Sequence, residues 1–313
     1  MRWIEVSEDE AGQRIDNYLL ARLKGVPKSH IYRILRSGEV RINSKRAAAS
    51  QKVAAGDRIR IPPVRVAERD EAVPAPHFRL PILFEDEAFV AIDKPSGIAV
   101  HGGSGVAHGV IESLRSMRPQ ARFLELVHRL DRETSGVLLV AKKRSSLVVL
   151  HEMMRSRSMD KRYLAGVRGR FRNEIQRVTL ALAKRVDALG DKRVSVSAGG
   201  QESETVLRRV ARGEEFSLLE AQLLTGRTHQ IRVHLAHLKH PVLGDDKYGE
   251  FDLNKRLRKE GLTRMFLHAA SLAFAHPVSG APVRLESALP ADLAAFATKR
   301  ISPSPQAEDR GEG

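Results

Sequence analysis

The spacing of apolar residues predicts a helix near the start of the chain. In "QRIDNYLLARLKG", which begins at residue 13, Ile15, Leu19, Leu20 and Leu23 fall on one stripe at helical spacing, while basic residues lie off it. A stripe of this kind lets one face of a helix pack into a core while the other face meets solvent. We therefore expect an amphipathic helix with a basic outer face.

A second short helix is predicted to begin after Pro27. Ile31, Ile34 and Leu35 form its apolar face, and Gly38 is a suitable end because glycine readily adopts the left-handed conformation. The stretches "EVRIN" and "DRIRIPP" follow as short alternating strands with basic residues on the solvent side. Two helices and a small sheet make a compact α/β unit.

The domain boundaries follow from changes in composition. "RVAERDEAVPAPHFRLP" (65–81) is charged, contains prolines and lacks periodicity, which is typical of a linker. We expect the N-terminal domain and its linker at residues 13–76 and a larger domain at residues 82–300. The polar segment 301–313 is expected to be a disordered tail.

The larger domain mixes strand and helix patterns without regular alternation. Strands are predicted in "PILFEDEAFVAIDKP", which has two around an acidic turn, and in "SGVLLVAKK", "KRYLAGVRG" and "FSLLEAQLL". Helices are predicted in "SSLVVLHEMMRSR" and in "THQIRVHLAHL", where Ile231, Leu235 and Leu238 form the apolar stripe. This order predicts an α+β fold with a mixed, mainly antiparallel sheet.

Charge narrows the classes of partner. The 313 residues include 53 Lys and Arg against 38 Asp and Glu, a formal net charge of +15, which favours a polyanionic partner such as nucleic acid. No apolar run reaches 18 residues and no signal-peptide pattern is found, so we expect a cytoplasmic protein with no membrane partner. The absence of cysteine excludes disulfides, thiolate nucleophiles and cysteine-ligated zinc.

Three polar clusters interrupt apolar elements and are candidates for a site: "DKPSGIAVHGGSG", "HRLDRETSG" and "TGRTHQIRVH". The glycines of "HGGSG" lack the spacing and the lysine of a phosphate-binding loop. Four histidines could be drawn into a metal site, but no matching carboxylate or thiolate pattern accompanies them: His229, His234, His237 and His240.

Two hydrolytic alternatives centre on Asp131. A Ser-His-Asp triad could be drawn from Ser135, His128 and Asp131, but these residues lie within eight positions and no nucleophile elbow is present. A phosphatase-type aspartyl nucleophile would use Glu133 as the second carboxylate, but it would also need a doubly wound fold. What remains is Asp131 acting alone as nucleophile or base, without metal or cofactor. From spacing alone, Asp131 could equally be a residue of a solvated turn.

The sequence of these clusters resembles the RluA family of pseudouridine synthases. "HRLDRETSGVLLVAK" is similar to the family signature, and "KPSG" with "VHGG", "TGRTHQIRVHLAHLKHPVLGDDKYG" and "FLHAASLAFAHP" resemble three further motifs in the same order. The match covers about residues 82–290. Residues 13–62 are similar to an S4 RNA-binding domain, which many members carry. The resemblance therefore implies an enzyme that isomerises uridine in RNA.

The resemblance also implies roles for particular residues. Asp131 matches the catalytic aspartate, Tyr163 the tyrosine that stacks on the base and serves in proton transfer, and Arg227 the arginine that pairs with the aspartate. Arg129 matches the residue that fills the gap left by the flipped uridine, and Leu267 an apolar residue beside the base. His128 is expected to help bind the substrate. No cofactor and no metal are implied.

RNA contacts are expected on both domains. In the N-terminal domain, the predicted RNA-binding residues are Arg14, Lys28, Arg33 and Arg36, although the same charges would suit a merely solvated face. The chain is most similar to members that modify large-subunit ribosomal RNA, so the expected partner is 23S rRNA and the expected state is a monomer. Two alternatives are a synthase acting on another rRNA or tRNA site and a noncatalytic RNA-binding ribosome assembly factor.

Overall fold

The computed structural model describes residues 1–23, 25–64, 76–103, 106–186 and 192–301. The chain divides into two compact units. The first comprises Met1–Ala75 and Lys143–Ser145, and the second comprises Pro76–Lys142 and Ser146–Gly313. Most of the predicted linker and of the predicted tail lies outside the described residues. Among the helices in the described part, none is both long enough and apolar enough to cross a membrane.

The N-terminal unit is a four-stranded antiparallel sheet with two helices, in the sheet order β1-β4-β2-β3. Its elements are β1 Arg2–Glu5, α1 Ile15–Arg22, α2 Lys28–Arg36, β2 Arg41–Ile42, β3 Lys45–Arg46 and β4 Arg58–Ile61. The two predicted helices and two predicted strands are confirmed, while β1 and β3 were not predicted.

The core of this unit follows the predicted stripes with one difference. Ile31, Ile34 and Leu35 of α2 are buried as expected, and Gly38 after the helix has a φ of +76°. In α1, however, Tyr18 is fully buried, whereas Leu20 is only partly so. The buried face of α1 is therefore rotated toward Tyr18.

The second unit contains one large sheet surrounded by helices. Its strands are β5 Ile82–Glu85, β6 Phe89–Lys94, β7 Glu125–Leu126, β8 Ser135–Ala141, β9 Asp160–Arg168, β10 Ile175–Val186, β11 Lys192–Val196, β12 Gln201–Arg212, β13 Phe216–Leu223, β14 Leu267–Ala275 and β15 Pro282–Glu286. Its helices are α3 Val110–Met117, α4 Arg144–Arg155, α5 Gln230–His237, α6 Phe251–Lys259 and α7 Ala291–Arg300.

The sheet has the order β11-β10-β12-β13-β9-β14-β8-β6-β5, with β15 beside β14 and β7 beside β8. The β14–β8 pair is parallel and the other pairings are antiparallel. The predicted α+β class with a mixed, mainly antiparallel sheet is therefore confirmed. Strand β8, predicted as mostly buried, is buried at all seven positions.

Three features of this topology position the site. The loop between β7 and β8 carries the charged cluster with Asp131, strands β9 and β14 pair in the middle of the sheet, and α5 follows β13 after a short turn. The charged loop, β9, β13 and α5 were predicted from their patterns, whereas β7 and β14 were not predicted as strands. The long strands β10 and β12 were not predicted, because exposed polar residues interrupt their apolar positions.

Candidate active site

A buried lysine holds the loop that carries Asp131. Lys94 Nζ donates to the carbonyl oxygens of Pro95 at 2.8 Å, Ile98 at 2.7 Å and Arg132 at 3.0 Å. Burial lowers the pKa of Lys94 to about 7. The "KPSG" stretch, noted in the sequence for its polarity, thus fixes the backbone directly after Asp131.

One cavity of about 690 Å³ opens beside this loop. Six residues predicted for the site line it together: His128, Arg129, Asp131, Tyr163, Arg227 and Leu267. These residues come from the β7–β8 loop, β9, the turn before α5 and the start of β14. The fold therefore brings residues of the "HRLDRETSG" and "TGRTHQIRVH" clusters to a single opening, together with Tyr163 and Leu267.

The cation that pairs with Asp131 is Arg232, not Arg227. Arg232 Nη1 donates to Asp131 Oδ2 at 2.8 Å. Arg227 also lines the cavity, but its Nε donates to the carbonyl oxygen of Glu202 at 3.1 Å. The expectation that Arg227 pairs with Asp131 is wrong, because Arg227 lies in the turn before α5 while Arg232 lies in the first turns of the helix, where its side chain faces the loop.

Arg232 is itself locked by a second carboxylate. Its Nε and Nη2 donate to Oδ2 and Oδ1 of Asp245 at 2.7 and 2.8 Å, and its guanidinium lies 5.0 Å from the centre of the Tyr248 ring. Burial alone would raise the pKa of Asp245, but the hydrogen bonds from Arg232 bring it below its ordinary value. Burial likewise acts to lower the pKa of Arg232, yet Asp245 and Asp131 raise it. Asp245 and Arg232 are therefore both ionised, and Arg232 links Asp245 to Asp131 by hydrogen bonds.

A signal for Arg232 was present in the sequence. It stands between Ile231 and Val233 in a short helix whose apolar residues fall on more than one face, so that an arginine there must be buried. A buried arginine requires a carboxylate partner. Nothing local identifies that partner, since Asp131 lies 101 residues away along the chain.

Tyr163 and Leu267 form the apolar wall of the cavity. Tyr163 on β9 is 8% exposed, and it pairs with Ala269 of β14, two residues after Leu267. Burial, followed by the nearby Asp131 charge, raises the pKa of Tyr163, so the phenol is neutral at physiological pH. The neutral ring of Tyr163 and the side chain of Leu267 thus flank the opening beside the Asp131 carboxylate. This arrangement suits a planar group that packs against apolar surfaces.

The remaining predicted residues differ in burial. Arg129 is exposed at the rim, where it also lines a second cavity of about 500 Å³. His128 Nε2 accepts the backbone N–H of Leu139 at 3.2 Å. Burial, with a smaller effect from Lys161, lowers the pKa of His128 to about 4, so its ring is neutral. Arg129 is thus more exposed than His128, the residue before it in the same loop.

A residue that sequence reasoning considered only as a metal ligand also belongs to this site. His229 Nε2 lies 3.9 Å from Asp131 Oδ1, and its Nδ1 lies 2.8 Å from the hydroxyl of Tyr248. The backbone of His229 is left-handed, with φ 53° and ψ 21°, an uncommon conformation for a residue other than glycine.

Ser135 and His234, two residues of the alternative sites, have other partners. Ser135 Oγ lies 2.9 Å from His268 Nδ1 rather than near His128, and within the described ranges no three His, Cys, Asp or Glu side chains are grouped as metal ligands. His234 instead bonds to Ser203 at 2.7 Å. The "HGGSG" stretch includes residues 104 and 105, which lie outside the described part of the chain.

The four basic residues predicted to bind RNA are exposed in the N-terminal unit. Lys28, Arg33 and Arg36 belong to α2. Arg14 donates to the buried Asp16 at 3.1 and 2.6 Å, so its guanidinium also stabilises the start of α1. Three of the four cations therefore follow the outer face of one helix.

The chain combines a basic N-terminal unit with a carboxylate held in a cavity beside a mixed sheet, two features expected of an enzyme that acts on RNA. Comparison with protein-family models matches RNA pseudouridylate synthase over residues 88–237 and the S4 domain over residues 13–59. Among curated proteins, ribosomal large subunit pseudouridine synthase C from Yersinia pestis is 54% identical, over 91% of this chain and 91% of the relative.

The Escherichia coli K12 protein of the same name is 52% identical, over 91% of this chain and 92% of that protein. Among solved structures, human RNA pseudouridylate synthase domain containing 4 aligns with a TM-score of 0.57 and 27% identity, covering 70% of this chain and 92% of that chain. The chain belongs to the RNA pseudouridylate synthase family, and its N-terminal unit is an S4 domain.

Proposed function

We propose that this protein converts several uridines of 23S ribosomal RNA into pseudouridine, with Asp131 as the catalytic carboxylate. The observation that carries the proposal is the asymmetry of Asp131. Its Oδ2 accepts from Arg232, while Oδ1 receives no hydrogen bond within the described part of the chain, and Asp131 lines the cavity together with Tyr163 and Leu267. One oxygen is thus held and the other is available to substrate.

The reaction fits a site with one carboxylate. The N1–C1′ bond of uridine breaks, a C5–C1′ bond forms, C5 loses a proton and N1 gains one. Atoms and electrons balance within the substrate, so the stoichiometry requires neither an oxidant nor an energy donor. A single carboxylate serves three routes: attack at C1′, attack at C6, or assistance in elimination to a glycal. The neutral Tyr163 hydroxyl is the proposed group for proton transfer at C5.

The target uridine must leave its stack to reach Asp131, at a cost of about a few kcal/mol. We assign Tyr163 and Leu267 as the surfaces that contact the extruded uracil, since stacking on an aromatic ring offsets part of that cost. Arg129 at the rim is assigned to the vacancy left in the RNA, with Arg227 and His128 as further substrate contacts.

The S4 domain adds a second contact with RNA. The exposed cations of α2 would bind phosphates, and tethering two binding surfaces raises the effective concentration of RNA at the catalytic cavity. The curated relatives at 54% and 52% identity carry large-subunit ribosomal names, which supports 23S rRNA as the substrate. We also propose that the protein is a monomer and acts in the cytoplasm.

The test is pseudouridine mapping on an unmodified 23S rRNA transcript incubated with purified protein, without nucleotide, metal or methyl donor. We expect new pseudouridines with the wild type and none with Asp131→Asn, whose RNA affinity should be largely kept. Glu133→Gln, an exposed carboxylate two residues away, is the matched control and should remain active. Activity of Asp131→Asn would contradict the assignment of Asp131 as the catalytic carboxylate. If the wild type forms no pseudouridine in 23S rRNA, in precursor particles or in tRNA, the result would favour the alternative of a noncatalytic ribosome assembly factor.

The RNA contact of the S4 domain is tested separately by Arg33→Gln with Arg36→Gln. Affinity for the transcript should fall, and the slope of log K against log salt should become shallower by roughly 1–2. Arg284→Gln removes an exposed cation that pairs with Glu286 in the other unit, and it should change affinity less. Equal effects of the two variants would contradict a specific contact on α2.

A further inference from the structure

His229 occupies an unusual backbone conformation next to the catalytic carboxylate. It stands immediately before α5 with φ 53° and ψ 21°, a region that costs a non-glycine residue about 1 kcal/mol or more. In this conformation its ring lies in the cavity with Nε2 3.9 Å from Asp131 Oδ1. Oδ1 is the oxygen that Arg232 leaves free.

The hydrogen bonds of Tyr248 determine which nitrogen of His229 carries the proton. The backbone N–H of Val194 donates to the Tyr248 hydroxyl oxygen at 2.9 Å, and that hydroxyl lies 2.8 Å from His229 Nδ1. A hydroxyl has one proton to donate. If His229 Nδ1 also donated, the Tyr248 proton would have no acceptor among its described contacts. Tyr248 therefore donates to Nδ1, and the proton of His229 lies on Nε2, facing Asp131.

The surroundings keep this imidazole neutral. Burial lowers the pKa of His229 below its ordinary value; Asp131 and Asp245 act to raise it, whereas Arg232 and Lys247 act to lower it. The edge-on contact with the Tyr248 ring, at 5.5 Å between centroids, fixes the plane of the imidazole. The donor is thus preorganised in position and in protonation.

We propose that His229 is a positioning residue that directs an Nε2–H hydrogen bond to Oδ1 of Asp131, with Tyr248 selecting the tautomer. This inference rests on the proposed role of Asp131. Without substrate the gap of 3.9 Å exceeds a hydrogen bond, and such contacts commonly tighten when the substrate binds. Oδ1 has two lone pairs, so accepting from His229 leaves one for the reacting nucleoside. Arg232 and His229 then fix the carboxylate from both sides.

The tautomer is tested without any activity measurement. In protein labelled with ¹⁵N-histidine, long-range ¹H–¹⁵N correlation spectra at neutral pH distinguish a protonated from an unprotonated ring nitrogen, and the loss of one signal set in His229→Asn assigns the residue. We expect a protonated Nε2 and a bare Nδ1, with part of the population changing tautomer in Tyr248→Phe. A protonated Nδ1 in the wild type would overturn the inference, whatever the enzyme modifies.

Function is tested by comparing two substitutions at the same position. Gln places an N–H donor as many bonds from the backbone as His Nε2, whereas Asn tolerates the left-handed backbone better but ends short of Asp131. We expect His229→Asn to lower kcat about 10- to 100-fold with KM for RNA nearly unchanged, and His229→Gln to recover a large part of it.

The reverse order, Asn more active than Gln, would mean that His229 serves only the backbone turn. Equal activity of both variants with the wild type would also overturn the inference. Failure of the proposed function would instead appear as turnover by Asp131→Asn, so the two ideas fail separately.

Discussion

Asp245→Asn tests whether the buried carboxylate behind Arg232 holds the active site together. Asp245 is 1% exposed and Arg232 9%. Oδ1 of Asp245 accepts from Arg232 Nη2 and from the backbone N–H groups of Lys247 and Tyr248, while Oδ2 accepts from Arg232 Nε and from no other group among the described residues. The amide oxygen of Asn can replace Oδ1, but its NH₂ group then faces the Nε–H of Arg232 at 2.7 Å, donor against donor.

The magnitude follows from this geometry. Removing one charge of a buried pair typically costs about 3–5 kcal/mol, because the other charge is left in a poorly solvated place. That loss would be about a fifth or more of the free energy of unfolding of an ordinary domain. Arg232 must also shift away from the new NH₂ group, and with it the hydrogen bond to Asp131. We therefore expect kcat to fall at least about 100-fold as well.

The assay uses the position of the single tryptophan. Trp3 lies in β1 of the N-terminal unit, so its fluorescence in urea reports that unit, whereas far-UV circular dichroism also reports the large sheet. Asp245→Asn should lower the dichroism midpoint and leave the Trp3 midpoint unchanged. Asp246→Asn, the adjacent carboxylate, is 74% exposed and pairs with Arg258, so it should change stability by less than about 1 kcal/mol. Equal effects of the two variants would refute the reasoning.

Acid provides a second check on Asp245. Its folded-state pKa lies below the ordinary 3.8. Its contribution is therefore complete above that pH and is lost as pH falls through the folded value. The difference in stability between wild type and Asp245→Asn should shrink as the pH falls below about 4.

Three further predictions concern other parts of the second unit. Lys94→Met leaves three carbonyl oxygens without their buried donor, so kcat should fall well over tenfold and stability by about 2–4 kcal/mol in urea titrations. Gly136→Ala should destabilise by about 3 kcal/mol or more, since φ is +109° and the added Cβ would lie 2.2 Å from a carbonyl oxygen of β14. Hydrogen bonding by Arg118, opposed by burial and aided by Lys142, lowers the pKa of Glu85 to about 2. Glu85→Gln should therefore cost about 1–2 kcal/mol above pH 4.5 and little near pH 2.

The variants at Gly136 and Glu85 each have a control that separates the mechanism from general damage. Gly280→Ala has a φ of +73° but open space around the new Cβ, so it isolates backbone strain from the clash at Gly136. Glu286→Gln removes an exposed carboxylate and should be nearly neutral at every pH. A drop in stability for Glu85→Gln that is independent of pH would contradict its assignment to the ion pair.

Local patterns predicted the parts of the fold that one segment determines alone. The stripe of Ile31, Ile34 and Leu35 identified α2, and the apolar run in "SGVLLVAKK" identified β8, since burial of one segment depends on its own periodicity. Strands β10 and β12 were missed because they leave many side chains exposed, so their alternation of apolar and polar residues is weak.

The candidate site was predictable only as far as each motif carries its own chemistry. Asp131 and Tyr163 stand in distinctive stretches and reach the same cavity, whereas the partner of Asp131 was misassigned to Arg227. The observed partner, Arg232, lies 101 residues after Asp131 in the chain, and its contact with Asp131 depends on the rotation of α5. The role inferred for His229 depends on a hydrogen bond to Tyr248, which no local pattern indicates.

The position of β14 in the sheet has a consequence for the order of folding. This strand lies between β9 and β8, yet it begins 99 residues after the end of β9 and 126 after the end of β8, so the middle of the sheet closes through contacts distant in sequence. Distant pairings form slowly because the loop must close before they stabilise anything. The S4 domain is built from near neighbours, and we expect it to fold first during synthesis. The nascent chain would then be able to bind RNA before the cavity that modifies the RNA has formed.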